Sequence, residues 1–156
     1  MPFVQIHLQK GKSGLWLKKM STVIHTAMTE MIDVPHDDYF QVVHQHEKGE
    51  FFYDPSYLQV ERSDELMFIR FTLKNSRTTH QKQAFYQHLA DRLHEKLGVR
   101  KEDVFIVLSG NAAEDWSFGN GEAQMIKKNP AASAGFFFVK RLSPFLLVCL
   151  SFCLSV

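Results

Sequence analysis

Pro2 is the residue whose chemistry depends most on its position. Proline has a small side chain, so Met1 ahead of it is the usual target of aminopeptidase removal, which would leave Pro2 as a free secondary amine. An α-amino group has a pKa of about 7.7–8.0, so modest desolvation or a nearby cation can tune it into a neutral general base at physiological pH. The plainer alternative is that Pro2 only begins a strand, a position where a missing backbone donor does no harm. A second pattern, His44-Gln45-His46 followed by Glu50, has the spacing His-x-His-x-x-x-Glu that can surround a transition metal. That spacing belongs to all-β jelly rolls, which the helices described below exclude, so His44 and His46 read as strand-end histidines feeding a turn at Gly49. No metal and no cofactor is expected. Trp116 and Phe118 stand among small residues in the stretch from Ser109 to Gly121 and fit a core plug, an oligomer contact or a ligand wall equally well. His25, His88 and His94 read as surface or satisfied side chains, and Lys74 and Arg70 as solvated charges.

These residues are positioned by an internal repeat. Shifted by 65 positions, Phe3-Val4-Gln5-Ile6-His7-Leu8 falls on Phe68-Ile69-Arg70-Phe71-Thr72-Leu73, and the match continues without a gap through Ser13 on Thr78, Val34 on Val99, Asp38 on Asp103 and Phe40 on Phe105. Each copy reads strand, loop, helix, strand. Trp16 or Leu17, Met20, Val23, Ile24, Ala27, Met28 and Met31 recur at helical spacing, which predicts a helix from about Ser13 to Ile32. Phe85, Tyr86, Leu89, Leu93 and Leu97 predict a second, with Thr78 as its N-cap and Gly98 as its left-handed terminator. Phe40–Val43 and Val104–Leu108 supply the second strand of each copy, and Phe51–Leu58 reads as part of a linking hairpin over about 50–60. A strand–helix–strand unit closes as a right-handed parallel crossover. The expected architecture is therefore α/β (α+β in some schemes): tandem β-α-β units about 2–43 and 67–108, in a four-stranded mixed sheet with both helices on one face. The other face needs a cover, and oligomerisation is the natural one.

Length and charge narrow the function classes. At 156 residues the chain fits one domain, here taken as 1–126. Net charge is +1, but Lys127, Lys128, Lys140 and Arg141 lie late, so residues 1–126 carry 14 basic and 17 acidic side chains, a net of −3. No clustered basic face advertises nucleic acid. Cys149 and Cys153, the two cysteines, lie in an apolar tail, so neither a disulfide framework nor a zinc-type pair is indicated and a cytoplasmic setting is the default. Residues 127–156 read as an extension outside the core fold. Its apolar run after Pro144 is shorter than the ~20 residues of a spanning helix and Lys140-Arg141 interrupts a longer one, so a membrane partner is not expected.

From Pro2 to about Met125 the chain resembles the tautomerase superfamily, and within it malonate semialdehyde decarboxylase and its relatives. The resemblance is carried by Met1-Pro2, Val34-Pro35-His36-Asp37-Asp38, Gln45–Glu50, Arg77 with Gln81-Lys82, and above all Asp115-Trp116-Ser117-Phe118-Gly119-Asn120-Gly121. It implies a homotrimer with active sites around amino-terminal prolines. It also implies that Pro2 is the catalytic amine, that Asp38 is the active-site aspartate, and that Arg77 is the second of two arginines used against substrate oxygens. The first arginine's position holds Asn75, which can donate a hydrogen bond but carries no charge. Trp116 and Phe118 match the family's apolar wall, where Met125 replaces an aromatic.

Two chemistries fit that set. As a base, Pro2 would drive keto-enol tautomerisation of a small 2-oxo or enol carboxylic acid, with Arg77 holding the carboxylate or the developing enolate. As an acid, protonated Pro2 would support decarboxylation or hydration of a 3-oxo acid. A non-catalytic interaction protein is the third reading, against which Pro2, Asp38 and Arg77 all count.

Overall fold

In the computed structural model, which describes residues 2–126, the chain runs β1 (Pro2–Gln9), α1 (Gly14–Met31), β2 (Gln41–His46), β3 (Met67–Lys74), α2 (Thr79–Leu97) and β4 (Val104–Asn111). The sheet order is β2-β1-β3-β4. β1 pairs parallel with β2 and β3 parallel with β4, while β1 and β3 run antiparallel at the centre. Each parallel pair is one copy of the repeat.

The repeat extends to its caps. Ser13 accepts a hydrogen bond from Trp16 N at the start of α1, and Thr78 accepts one from Gln81 N at the start of α2, each at an extended backbone geometry. Gln81 returns the favour to the Thr78 N–H and completes a capping box. Both helices end at a left-handed residue: Gly98 at φ 69° and, at the equivalent position, Asp33 at φ 55°. Asp tolerates that conformation better than most residues with a Cβ.

One face of the sheet meets the helices. Val4, Ile6, Leu8, Ile69, Phe71 and Leu73 interleave with Met20, Ile24, Met28, Phe85, Leu89 and Leu93, all at most 3% exposed. The Phe71 and Phe85 rings meet edge to face at 5.2 Å, joining β3 to α2. The opposite face carries Phe3, Val42, Phe105 and Val107, each 36–42% exposed, alongside Gln5, His7, His44, Phe68 and Arg70.

Two strands are longer than the apolar runs predict, and one expected element is different. β2 extends to His46 and β4 to Asn111 because the parallel ladders continue beneath polar residues, Gln9 opposite His46 and Lys74 opposite Asn111. The linking segment 50–60 is not a hairpin: one 3-10 turn, Lys48–Glu50, leads into it and a second, Tyr57–Gln59, lies within it, and the described residues there form no ladder. Phe51 turns inward against Phe68 and His46, and Asp54 accepts from the Ser56 N–H in a local turn. Leu58 and Gln59 take positive φ, and the Arg62 guanidinium satisfies the Tyr57 and Val60 carbonyls. Local side-chain bonds thus replace cross-strand pairing. The apolar tail 127–156, with its cysteines, lies outside the described residues. Among the described residues no helix is long and apolar enough to cross a membrane.

Candidate functional site

Four segments converge at one end of the sheet because of the strand directions. Pro2 is buried and lies opposite Leu73, so the start of β1 adjoins the end of β3 and the turn Lys74-Asn75-Ser76-Arg77. On the other side, Val4 N–H donates to the Phe40 carbonyl at 3.0 Å, bringing residues 38–40 alongside the first residues of β1. β4 ends at the same edge, where the Asn75 N–H donates to the Asn111 carbonyl at 2.9 Å. The segment after β4 carries Trp116 and Phe118.

Asp38 is 9% exposed and its N–H closes a turn onto the Pro35 carbonyl at 3.1 Å. A brace from α1 holds that turn. His25 Nε2 lies 3.0 Å from the His36 carbonyl, which can only accept, so Nε2 carries the proton. The His25 ring meets Tyr39 edge-on at 4.5 Å, and the Tyr39 hydroxyl bonds Ser21 Oγ at 2.5 Å. His25, read from sequence as a satisfied side chain, therefore also fixes the Asp38 turn.

The aromatic wall is ordered by its own loop. Trp116 and Phe118 stack at 5.6 Å with planes 4° apart, and Phe118 leans on Phe40 at 6.2 Å. Asp115 accepts from the Ala112 N–H, while Gln124 bonds both the Phe118 N–H and the Gly119 carbonyl. Gly119 and Gly121 sit at φ 135° and 68°, where a side chain would be strained. The Trp116 Nε1–H is buried and has no acceptor among the described residues.

Arg77 and Asn75 are more constrained than their types suggest. Arg77 Nε and Nη2 both donate to the Ile32 carbonyl, at 3.1 and 2.7 Å, capping the end of α1. Nη1 donates to the Lys74 carbonyl and Ser76 Oγ. Asn75 lies directly over Gly110, where an added Cβ would come within 2.9 Å of its Cβ and Cγ. A pocket of about 340 Å³ opens beside this turn, lined by Asp33, Pro35, Lys74, Ser76, Arg77, Gln81 and Met125. It gathers Arg77 and Met125 but is not lined by Pro2, Asp38, Trp116 or Phe118.

Comparison with known proteins places the chain. Two family profiles described as tautomerase enzyme match it, over residues 2–60 and 38–119. It is 68% identical over 127 residues to probable tautomerase YusQ of Bacillus subtilis (strain 168), covering 81% of this chain and all of that one. The chain belongs to the tautomerase family. Probable tautomerase YrdN of the same organism is 36% identical over 126 residues, covering 81% of this chain and 97% of that protein. Crystal structures of malonate semialdehyde decarboxylase, described in terms of decarboxylase and hydratase activities, align at TM-score 0.74 and 30% identity over 79% of this chain and 95% of that one. A fused 4-OT protein described as a symmetric trimer, 17% identical and at TM-score 0.66 over 79% of this chain and 96% of that one, has the same fold.

Within this tautomerase-family chain, sequence reasoning gave no site role to Asp33, Pro35, Lys74, Ser76 or Gln81, which also line the pocket. Lys74 looked like a solvated charge, yet it lines the pocket beside Arg77. The signal available was adjacency: a lysine immediately before Asn75, the position that the sequence resemblance pairs with an arginine.

Proposed function

We propose that the protein is an enzyme in which the amine of Pro2, exposed after loss of Met1, moves a proton in keto-enol tautomerisation of a small 2-oxo or enol carboxylic acid. The observation that carries this reading is the strand register, in which Pro2 begins β1 between the Asp38 turn and the turn bearing Arg77. Burial at that end disfavours a charged amine, and the Arg77 guanidinium adds positive potential; both favour a neutral nitrogen that can accept a proton. Asp38 is suited to orient the amine or the departing proton. Arg77 and Asn75, on the turn that adjoins Pro2, would supply positive field and a hydrogen-bond donor to developing enolate charge, and Trp116, Phe118 and Met125 would supply apolar surroundings.

A second reading is favoured by the stacked Trp116 and Phe118 and by the malonate semialdehyde decarboxylase likeness: loss of CO₂ from a 3-oxo acid, with protonated Pro2 polarising the carbonyl. Asn75, uncharged, gives such a substrate one cation fewer. We further propose that residues 1–126 form the catalytic domain, with 127–156 an extension; that YusQ aligns along its whole length with 81% of this chain supports this. Copies of the chain would cover the open face of the sheet as a homotrimer, supported by its half-exposed Phe3, Val42, Phe105 and Val107.

The deciding experiment is a ¹⁵N-proline NMR titration of the mature protein, with the loss of Met1 verified by mass. A Pro2 pKa clearly below about 7.7 supports the base and tautomerisation. A value well above 8 transfers support to the decarboxylase or hydratase reading.

A further inference from the structure

Arginine binds a carboxylate best with two N–H groups on one edge of its planar fork. Arg77 has no such edge to offer. Its Nε and Nη2 edge is spent on the Ile32 carbonyl, and both Nη1 hydrogens go to the Lys74 carbonyl and Ser76 Oγ. One Nη2 hydrogen is left. Turning the fork toward a substrate would strand the Ile32 carbonyl, an unpaired terminal acceptor of α1 in a residue only 1% exposed.

Lys74 has the opposite properties. Its backbone is fixed, since it ends β3 opposite Asn111 and its carbonyl takes an N–H from Arg77. Its side chain is exposed, and among the described residues its ammonium has no carboxylate partner. It lines the pocket of about 340 Å³ that Arg77, Gln81 and Met125 also line, and it directly follows Leu73, the residue opposite Pro2. Asp33 is the one acid in the pocket lining, so the two cations there outnumber it.

We infer that Lys74 is the residue that receives the substrate carboxylate, and that Arg77 holds the pocket wall and supplies field rather than a bidentate clamp. This rests on the proposed Pro2 chemistry for its reaction but not for its binding step. A lone ammonium on a four-carbon stem accepts a carboxylate from several directions, so the site is suited to a range of small 2-oxo acids rather than one.

The test uses the full chain and malonate as an unreactive carboxylate probe, with binding followed by calorimetry and turnover followed with phenylenolpyruvate. Lys74→Met should weaken malonate about tenfold and raise KM by a similar factor with kcat within about twofold, while Lys74→Arg retains most of the affinity. Lys96→Met, in the groove between the helices, should change neither. Pro2→Ala should still bind malonate normally. If Pro2→Ala keeps full turnover while Lys74→Met loses malonate, the acid-base reading falls and the role of Lys74 stands. Equal malonate affinity in Lys74→Met and wild type, or no binding to the wild type, overturns the inference.

Discussion

The two copies of the repeat place the same aspartate in different surroundings. Asp38 and Asp103 are 65 positions apart, and each N–H closes the same turn at 3.1 Å, onto Pro35 in the first copy and Arg100 in the second. Asp103 is fully buried and satisfied by the chain that leads into β3: the Ser63 N–H and hydroxyl donate to it at 2.6 and 2.7 Å. The residue equivalent to Pro2 in that copy is Met67, which is 1% exposed and packs in the core. In the second copy, then, an incoming segment ties the carboxylate into the fold. The first copy has Pro2 at the start of β1, opposite Leu73, and there the proposed reaction would use the Asp38 carboxylate. The repeat supplies the scaffold twice, and the proposed reaction uses the strand end of one copy.

That contrast is broken most directly at the paired positions Pro2 and Met67. Pro2→Ala should lower kcat about 10²–10⁴-fold with an unchanged melting temperature, since it removes the secondary amine and little packing. Met67→Ala should do the reverse, losing about 2–4 kcal/mol in urea unfolding while the folded fraction keeps its specific activity. Equal activity losses in the two variants would end the distinction between a working copy and a structural one.

The aspartates give the next largest effect. Asp103→Asn leaves one of the Ser63 donors facing an amide that cannot accept at both positions, and should cost about 2–3 kcal/mol by denaturant titration. Asp38→Asn should instead reduce kcat more than about tenfold with a stability change under about 1 kcal/mol. If Asp38→Asn proves the more destabilising of the two, its turn is structural and the proposed orienting role is lost.

How much of this was legible depended on whether a residue's task is set locally. The helices, both caps and the left-handed Gly98 follow from neighbours within four positions, and the 65-residue shift carries the sheet topology with them. Asp33 at positive φ escaped notice because only the repeat, not its residue type, marks it as the partner of Gly98. The segment 50–60 was misread because Arg62 and Asp54 satisfy its backbone groups through side-chain bonds that no periodicity reveals. The candidate site residues were named from their types and the resemblance, but the commitment of the Arg77 fork to Ile32 spans 45 positions and has no sequence signature. The same holds for Asn75 over Gly110. That contact sharpens the comparison at the site's floor, because Gly110→Ala must push Asn75 aside. The expected cost is about 1–3 kcal/mol together with an altered KM. Gly110→Ala combined with Asn75→Ala should recover most of the stability, and failure to recover it would place the strain elsewhere.

The smallest expected effect lies on the open face, where the copies also differ. His7 and His44 of the first copy correspond to Thr72 and Ser109 of the second, so the imidazoles cluster on one half of the sheet. His7 stacks on His44 at 4.7 Å and its Nδ1 lies 2.9 Å from His46 Nε2, an arrangement that needs one nitrogen to donate and the other to keep its lone pair. Burial, and then the charges of His44 and His46, hold His7 below its usual value of 6.5. The unfolded chain therefore binds a proton at this residue more readily than the folded one. The contribution of neutral His7 is complete above about pH 6.5 and is lost as the pH falls through its depressed folded value. The melting temperature should accordingly drop between pH 7.5 and 5, and His7→Gln should drop by less across the same interval. A wild-type melting temperature that does not fall on acidification, or an equal fall in His7→Gln, would mean that the cluster does not couple protonation to folding. If the open face is covered by copies of the chain, dilution should enlarge the drop, because charging the cluster would then oppose assembly as well as folding.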